Sequence, residues 1–295
     1  PPKRPSFYMV CELLDNSVVE APMIRTDFWP DLAMSEGGEV KELQNFMTRA
    51  KRRCTFPNGA QPDQQVMAIN WSQPYGRIST EELLLLALRI LYRKGYLGVI
   101  IGGYSGMDKL GRELVKGNVA WLEALVDKKE ASALACFATF RVLFVEAAPY
   151  DWLLPQCCCF LNQGSTWLTH AALRAACPFV VTPAVGENFS IARSVIKRVK
   201  PNHGAAFDCE MPEISFEELM DTIERVMNAS RQAASDPASK PVQMGPYASM
   251  DMVANIIEEF AREEVMSGSW YESFKLYRAG GDAPDKERQG NKVPV

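Results

Sequence analysis

Two histidines, eight cysteines and one tight basic run are the side chains of this 295-residue chain that could do chemistry on their own. A histidine moves protons near neutral pH. His170 lies in an alanine- and leucine-rich stretch and His203 in a Pro-Asn-His-Gly turn, and a structural role is the better reading of each. Cys157, Cys158 and Cys159 are consecutive inside an apolar run, and Cys11, Cys54, Cys136, Cys177 and Cys209 are scattered without metal-ligand spacing. Successive strand residues face opposite ways, so the triplet makes neither a zinc cage nor a disulfide framework. Reduced, buried thiols in an intracellular or organellar compartment are expected, and no metal site. Lys51-Arg52-Arg53 could touch phosphate, but 32 Lys+Arg stand against 36 Asp+Glu for a net charge of −4. The run reads as a solvated face, and direct nucleic-acid binding is not expected. The aromatics Trp270, Tyr271, Phe274 and Tyr277 could dock on the chain's own core or on another subunit.

The elements that must position these residues follow from pattern. Hydrophobic residues make up 47% and charged residues 23%, an ordinary globular mix. No apolar run approaches the roughly 18 to 20 residues of a membrane span. Short apolar strands are expected at 66–69, 98–101, 142–145, 157–161, 179–182 and 205–207, alternating with helices. Among the helices, Ser79-Thr80-Glu81-Glu82 opens one as a capping box. The stretch 112–138 is helical in composition, shorter helices fall at 169–176 and 191–199, and Ser215 begins an amphipathic helix with Phe216, Leu219, Ile223 and Val226 on one stripe. A further helix is expected from about 249 to 265. Strands alternating with helices imply an α/β fold: a Rossmann-like parallel sheet with helices on both faces. Residues 1–63 read as an N-terminal arm with little core of its own, 64–265 as the domain and 266–295 as a C-terminal tail. The opening PPKRPS, without Met, suggests a processed or truncated product.

VMAINWS (66–72), GGYSG (102–106), PYDWLLP (149–155), NQGSTWLTHAALRAACP (162–178) and TPAVGEN (182–188) occur in an order that resembles the C-terminal, nucleotide-sugar-binding domain of the GT-B glycosyltransferases. The resemblance is to the sterol 3-β-glucosyltransferase type of UDP-glycosyltransferase and covers residues 60 to 265. Thr26-Asp27-Phe28-Trp29 resembles that family's interdomain connection. GGYSG is weak alone, since glycine loops after strands are common; PYDWLLP and the succession of motifs are more specific.

The resemblance implies a site in which backbone N–H groups at glycine turns and helix N-termini hold a diphosphate, uracil stacks near the Asp-Trp element, and a carboxylate–amide pair grips the sugar. Carried over position by position, the nucleotide-sugar residues are Ser72, Gly103, Asp151, Trp152, Asn162, Gly164, Ser165, Glu187 and Asn188. The sequence departs from the family at several of them. Trp71 stands where the family has the glycine of FGS, and Tyr150 replaces the His of PHDWLFP. Counting back from Leu173-Arg174-Ala175, Asn162 replaces the leading His of HHGGAGTT and Trp167-Leu168 the Gly-Thr of its turn. A frame slipped by two residues would make Ser165 and Thr166 the phosphate ligands. Glu187 and Asn188 stand for the family's Asp-Gln, and capping of the following helix is the competing reading.

A family enzyme also needs a catalytic His-Asp pair from an N-terminal domain, and residues 1–63 contain no His. No catalytic residue is therefore assigned. The expectation is a degenerate, non-catalytic glycosyltransferase-like protein that acts as a structural or assembly subunit of a larger complex with other protein subunits. It needs no cofactor, and a mitochondrial location is compatible. The alternatives are an active UDP-sugar-dependent sterol or lipid glycosyltransferase completed by another chain, and a UDP-sugar sensor.

Overall fold

The computed structural model describes residues 6–9, 23–26, 38–53, 65–71 and 76–235, with 258, 261–262, 266–268, 271–272 and 275. Ser72, most of the 249–265 stretch, and Trp270, Phe274 and Tyr277 lie outside the described residues. The chain divides into two compact units. One contains two short parallel strands, β1 (Ser6–Met9) and β2 (Met23–Thr26), with Ser6 opposite Met23.

The other unit runs from helix α1 (Gly38–Arg53) to the end of the last long helix. Its strands β3 (Val66–Asn70) and β4 (Leu97–Ile101) are buried at every position, as happens when helices cover both faces of a sheet. With β5 (Val142–Val145), β6 (Cys159–Asn162), β7 (Phe179–Val181) and β8 (Gly204–Ala206) they form one parallel sheet in the order β5-β4-β3-β6-β7-β8. Counted from β3, this is the 3-2-1-4-5-6 order of dinucleotide-type Rossmann folds. The strand order reverses between β3 and β6, where Asn70 pairs with Asn162.

Alternation sorts the core into two layers. Met67, Ile69, Ile100, Leu161 and Val180 face α2 (Thr80–Lys94) and α9 (Phe216–Ala234), joining Leu84, Leu88, Leu91, Ile223 and Val226 in one cluster. Ala68, Val99, Phe160, Phe179 and Val181 point the other way and are fully buried. The caps follow the sequence closely. Ser79 and Glu82 exchange side-chain and backbone bonds at the start of α2, and Ser215 accepts from the Glu218 N–H at the start of α9.

Several boundaries differ from expectation for local reasons. The stretch 112–138 is not one helix but parts of three: α3 (Met107–Val115), α4 (Ala120–Leu125) and α5 (Lys128–Arg141). Gly117 turns the chain at φ +99°, and the Asp127 carboxylate caps α5 by accepting from the Lys129 and Glu130 N–H groups. A short helix α6 (Tyr150–Leu153) precedes β6. Helix α7 spans Thr166–Arg174, starting three residues early, and α8 spans Gly186–Arg198, starting five early. Helix α1 lies in the stretch read as an arm, yet it buries Leu43, Phe46, Met47 and Ala50.

Free thiols are found at Cys136, Cys157, Cys158, Cys159, Cys177 and Cys209. Cys136 is exposed, against the expectation of burial, because it sits on the outer face of α5. Among the described residues no helix is long and apolar enough to cross a membrane.

Candidate functional site

In an open α/β sheet ligands bind outside the carboxyl ends of the strands, where the strand order reverses. Here that place is bounded by the ends of β3 and β6, and Asn70, Trp71, Asn162, Gln163 and Gly164 occupy it. Trp71 follows β3 and is 0% exposed. Its Nε1–H donates to Thr182 Oγ1 at 3.0 Å, and Thr182 follows β7. Because β6 lies between β3 and β7, the indole reaches across the end of β6. Thr182 is itself anchored there, donating its N–H to the Asn162 carbonyl at 2.9 Å. Beside it, Asn70 Nδ2 donates to the Tyr150 hydroxyl. The reversal point is thus spanned by the protein's own side chains.

The turn from β6 into α7 is closed in the same way. Asn162 is fully buried, and its Oδ1 accepts from the Gly164 N–H at 2.8 Å and from the Thr169 hydroxyl at 3.3 Å. The Gly164 amide of this turn is therefore bonded to a side chain of the turn itself. Gly164 has φ +84°, and a Cβ there would stand 2.7 Å from Val181 Cγ1, so the position requires glycine. Ser165 is the N-cap of α7 without a side-chain cap bond, and Trp167 is half-buried.

The Asp-Trp element is placed on α6. Asp151 pairs with Arg174 at the end of α7, Oδ1 to Nη2 at 2.6 Å, and the Arg174 guanidinium also lies 6.0 Å from the centre of the Trp167 ring. Trp167 meets Tyr150 edge-on at 6.4 Å, so α6 and α7 are joined by an aromatic and ionic cluster. Trp152 is half-buried beside it. Asp151 and Arg174 lie 23 positions apart, on different helices, and no local pattern pairs them. The signal was that both fall inside motifs that keep the family's residue types while neighbouring positions change.

Glu187 and Asn188 separate in role. Glu187 is exposed in the first turn of α8. Asn188 is fully buried, and its Oδ1 accepts from the Val185 N–H at 3.1 Å and the Ala184 N–H at 3.4 Å, capping the helix it belongs to. The side-chain nitrogens of Asn162 and Asn188 have no hydrogen-bond partner among the described residues. In the glycine loop after β4, Gly103 has φ +49° and donates its N–H to the Glu146 carbonyl at 3.1 Å, while Gly102 donates to Val145 at 3.0 Å. These amides tie the ends of β4 and β5 together.

The structure thus brings Gly164, Asn162 and Asn188 to one place, with Trp71 and Thr182 beside them, and puts Asp151, Trp152 and Trp167 on the adjoining α6–α7 cluster. Gly103 sits at the end of β4, on the other side of β3. His170 is fully buried on α7. His203 precedes β8, where burial and then the nearby Lys200 push its pKa below the ordinary range and keep the ring neutral.

No family model matches the chain. It is 40% identical over 49 residues to sterol 3-beta-glucosyltransferase UGT80B1 of Arabidopsis thaliana, a stretch covering 17% of this chain and 8% of that protein. It is 22% identical over 160 residues to the sterol 3-beta-glucosyltransferase of Leptosphaeria maculans, covering 52% of this chain and 11% of that one. Among solved structures, Phytolacca americana UGT2 complexed with UDP-2fluoro-glucose and pterostilbene superposes with a TM-score of 0.52 at 12% identity, over 87% of this chain and 54% of that chain. The matches span a small part of the curated relatives and about half of the solved one. With the six-stranded parallel sheet and its strand order, they make this a glycosyltransferase-like α/β domain of GT-B type, similar to the UDP-glycosyltransferases.

Proposed function

We propose that this chain is a GT-B-type domain that does not transfer sugar and serves as a structural or assembly subunit of a larger complex. The observation that carries the reading is Trp71, whose buried indole crosses the end of β6 to Thr182. A diphosphate there would have to displace a hydrogen-bonded aromatic ring from the core, and the Gly164 amide of the turn after β6 already has its acceptor in Asn162. Asp151, the carboxylate of the Asp-Trp element, is held by Arg174. Exposed Tyr104, Phe140, Tyr92 and Ile196 support a role through surfaces, since large exposed aromatics anchor protein interfaces. In this reading the domain, helix α1 included, meets partners through its outer surface, and the free thiols fit a reducing intracellular setting, the mitochondrion included.

One specific feature favours a second reading, retained UDP-sugar binding: the left-handed Gly164 turn still leads into a helix N-terminus without a side-chain cap. Two assays separate the readings. In the first, UDP-[14C]glucose is incubated with the purified protein and sterol or lipid acceptors, and neither transfer nor hydrolysis above background is expected. In the second, a native gel of gently lysed source cells is probed for the chain, which is expected in a particle much larger than 32.9 kDa. Sustained turnover by a free monomer would refute the assembly reading.

A further inference from the structure

At the amino end of the sheet, opposite the candidate site, there is a cavity of about 200 Å³. Its walls are Phe46 of α1, Leu97 at the start of β4, Val142 and Leu143 at the start of β5, and Phe140 at the end of α5. The pocket opens to solvent between Arg49, Thr139 and Phe140, and the buried side chains of Phe46, Leu97 and Val142 form its apolar floor. Phe140 is 69% exposed, a large aromatic held in water at the rim.

The polar groups of the chamber define the ligand's other end. Among the described residues Arg49 is its one charged lining residue, and the only hydrogen bond that guanidinium makes among them is a long one, 3.4 Å from Nε to the Asn45 carbonyl of its own helix. The Thr139 hydroxyl donates to the Ala135 carbonyl at 2.9 Å, so toward the chamber it offers lone pairs only. An unpaired guanidinium matches a carboxylate, with two parallel N–H···O bonds available. A cavity of roughly 150 Å³ takes up benzene, so a pocket of about 200 Å³ has the volume for a ring and a short alkyl chain.

We infer that the chamber between α1 and the β4–β5 end binds a small arylalkanoate, with the ring inside and the carboxylate on Arg49. The site lies at the opposite end of the strands from Trp71 and does not depend on whether nucleotide binds there.

The test is titration of the full chain with 3-phenylpropionate and, in parallel, with the neutral 3-phenylpropan-1-ol, followed by calorimetry and by saturation-transfer NMR on the aromatic protons. The acid is expected to bind saturably and more tightly than the alcohol. Arg49→Gln, at an exposed position, should weaken the acid about tenfold and leave the alcohol unchanged. Leu143→Trp, which fills the chamber, should abolish both, with circular dichroism reporting that the fold is kept. If that variant does not fold, Phe140→Asp places a carboxylate at the rim and should weaken the acid at least as much as Arg49→Gln. Absence of saturable binding of either probe, or acid binding that Arg49→Gln leaves unchanged, overturns the proposal.

Discussion

Trp71 is the residue on which the account turns. Its ring is fully buried and its single polar atom is paired with Thr182. Trp71→Phe keeps most of the packing and leaves Thr182 without its donor, at an expected cost of about 1 to 2 kcal/mol. Trp71→Ala also opens a cavity and should cost about 3 to 5 kcal/mol, measured by urea unfolding. Asn188 and Glu187 make a sharper pair. Asn188→Ala removes the acceptor for two amides at the start of α8 and should destabilise by about 0.5 to 2 kcal/mol, whereas Glu187→Ala, at an exposed site, should leave the unfolding midpoint in place. An equal loss from both would refute the division of roles. The sequence set Trp71 where the family has the glycine of FGS and Asn162 where it has the leading His. It did not reveal that Trp71 reaches Thr182, because a contact between residues 111 positions apart depends on the order of strands in the sheet, which no local pattern encodes.

At the scale of elements, strands and helix starts were legible where one interaction decides them. The Ser79–Glu82 capping box and the Ser215 cap are short-range bonds, and the runs at β3 and β4 have no alternative to burial on both faces. The starts of α7 and α8 were read late, since they depend on the left-handed Gly164 turn and on Asn188 folding back. Helix α1 shows the same limit: its polar composition hid that Leu43, Phe46, Met47 and Ala50 form one buried stripe. The thiols around β6 give a prediction at this scale. Burial pushes the pKa of Cys158 up to about 12 and moves Cys157, Cys159 and Cys177 upward as well, and Tyr96 rises to about 12 for the same reason. Groups whose folded pKa is raised stabilise the fold fully below their unfolded pKa and lose that contribution as pH rises toward the folded value. The melting temperature should therefore fall steadily from about pH 9 to pH 11. Exposed Cys136 should react with iodoacetamide at pH 8 well before the buried thiols do, as read by mass spectrometry. A melting temperature flat across that range, or early labelling of Cys159, would contradict the burial described.

For the whole molecule, the parallel sheet reverses its order between β3 and β6, and Trp71, Asn162 and Thr182 are bonded to one another across the carboxyl ends of the strands there; in the proposed reading these side chains fill the crevice that a nucleotide sugar would need. The same scaffold can be kept for its surface when its crevice is filled. The measurement closest to this claim is isothermal titration of the purified chain with UDP and with UDP-glucose, with and without Mg²⁺, at protein concentrations that detect millimolar affinity. The account predicts no saturable heat and no rise in melting temperature with either ligand. Micromolar binding would show that Trp71 leaves room for a diphosphate and would contradict the account.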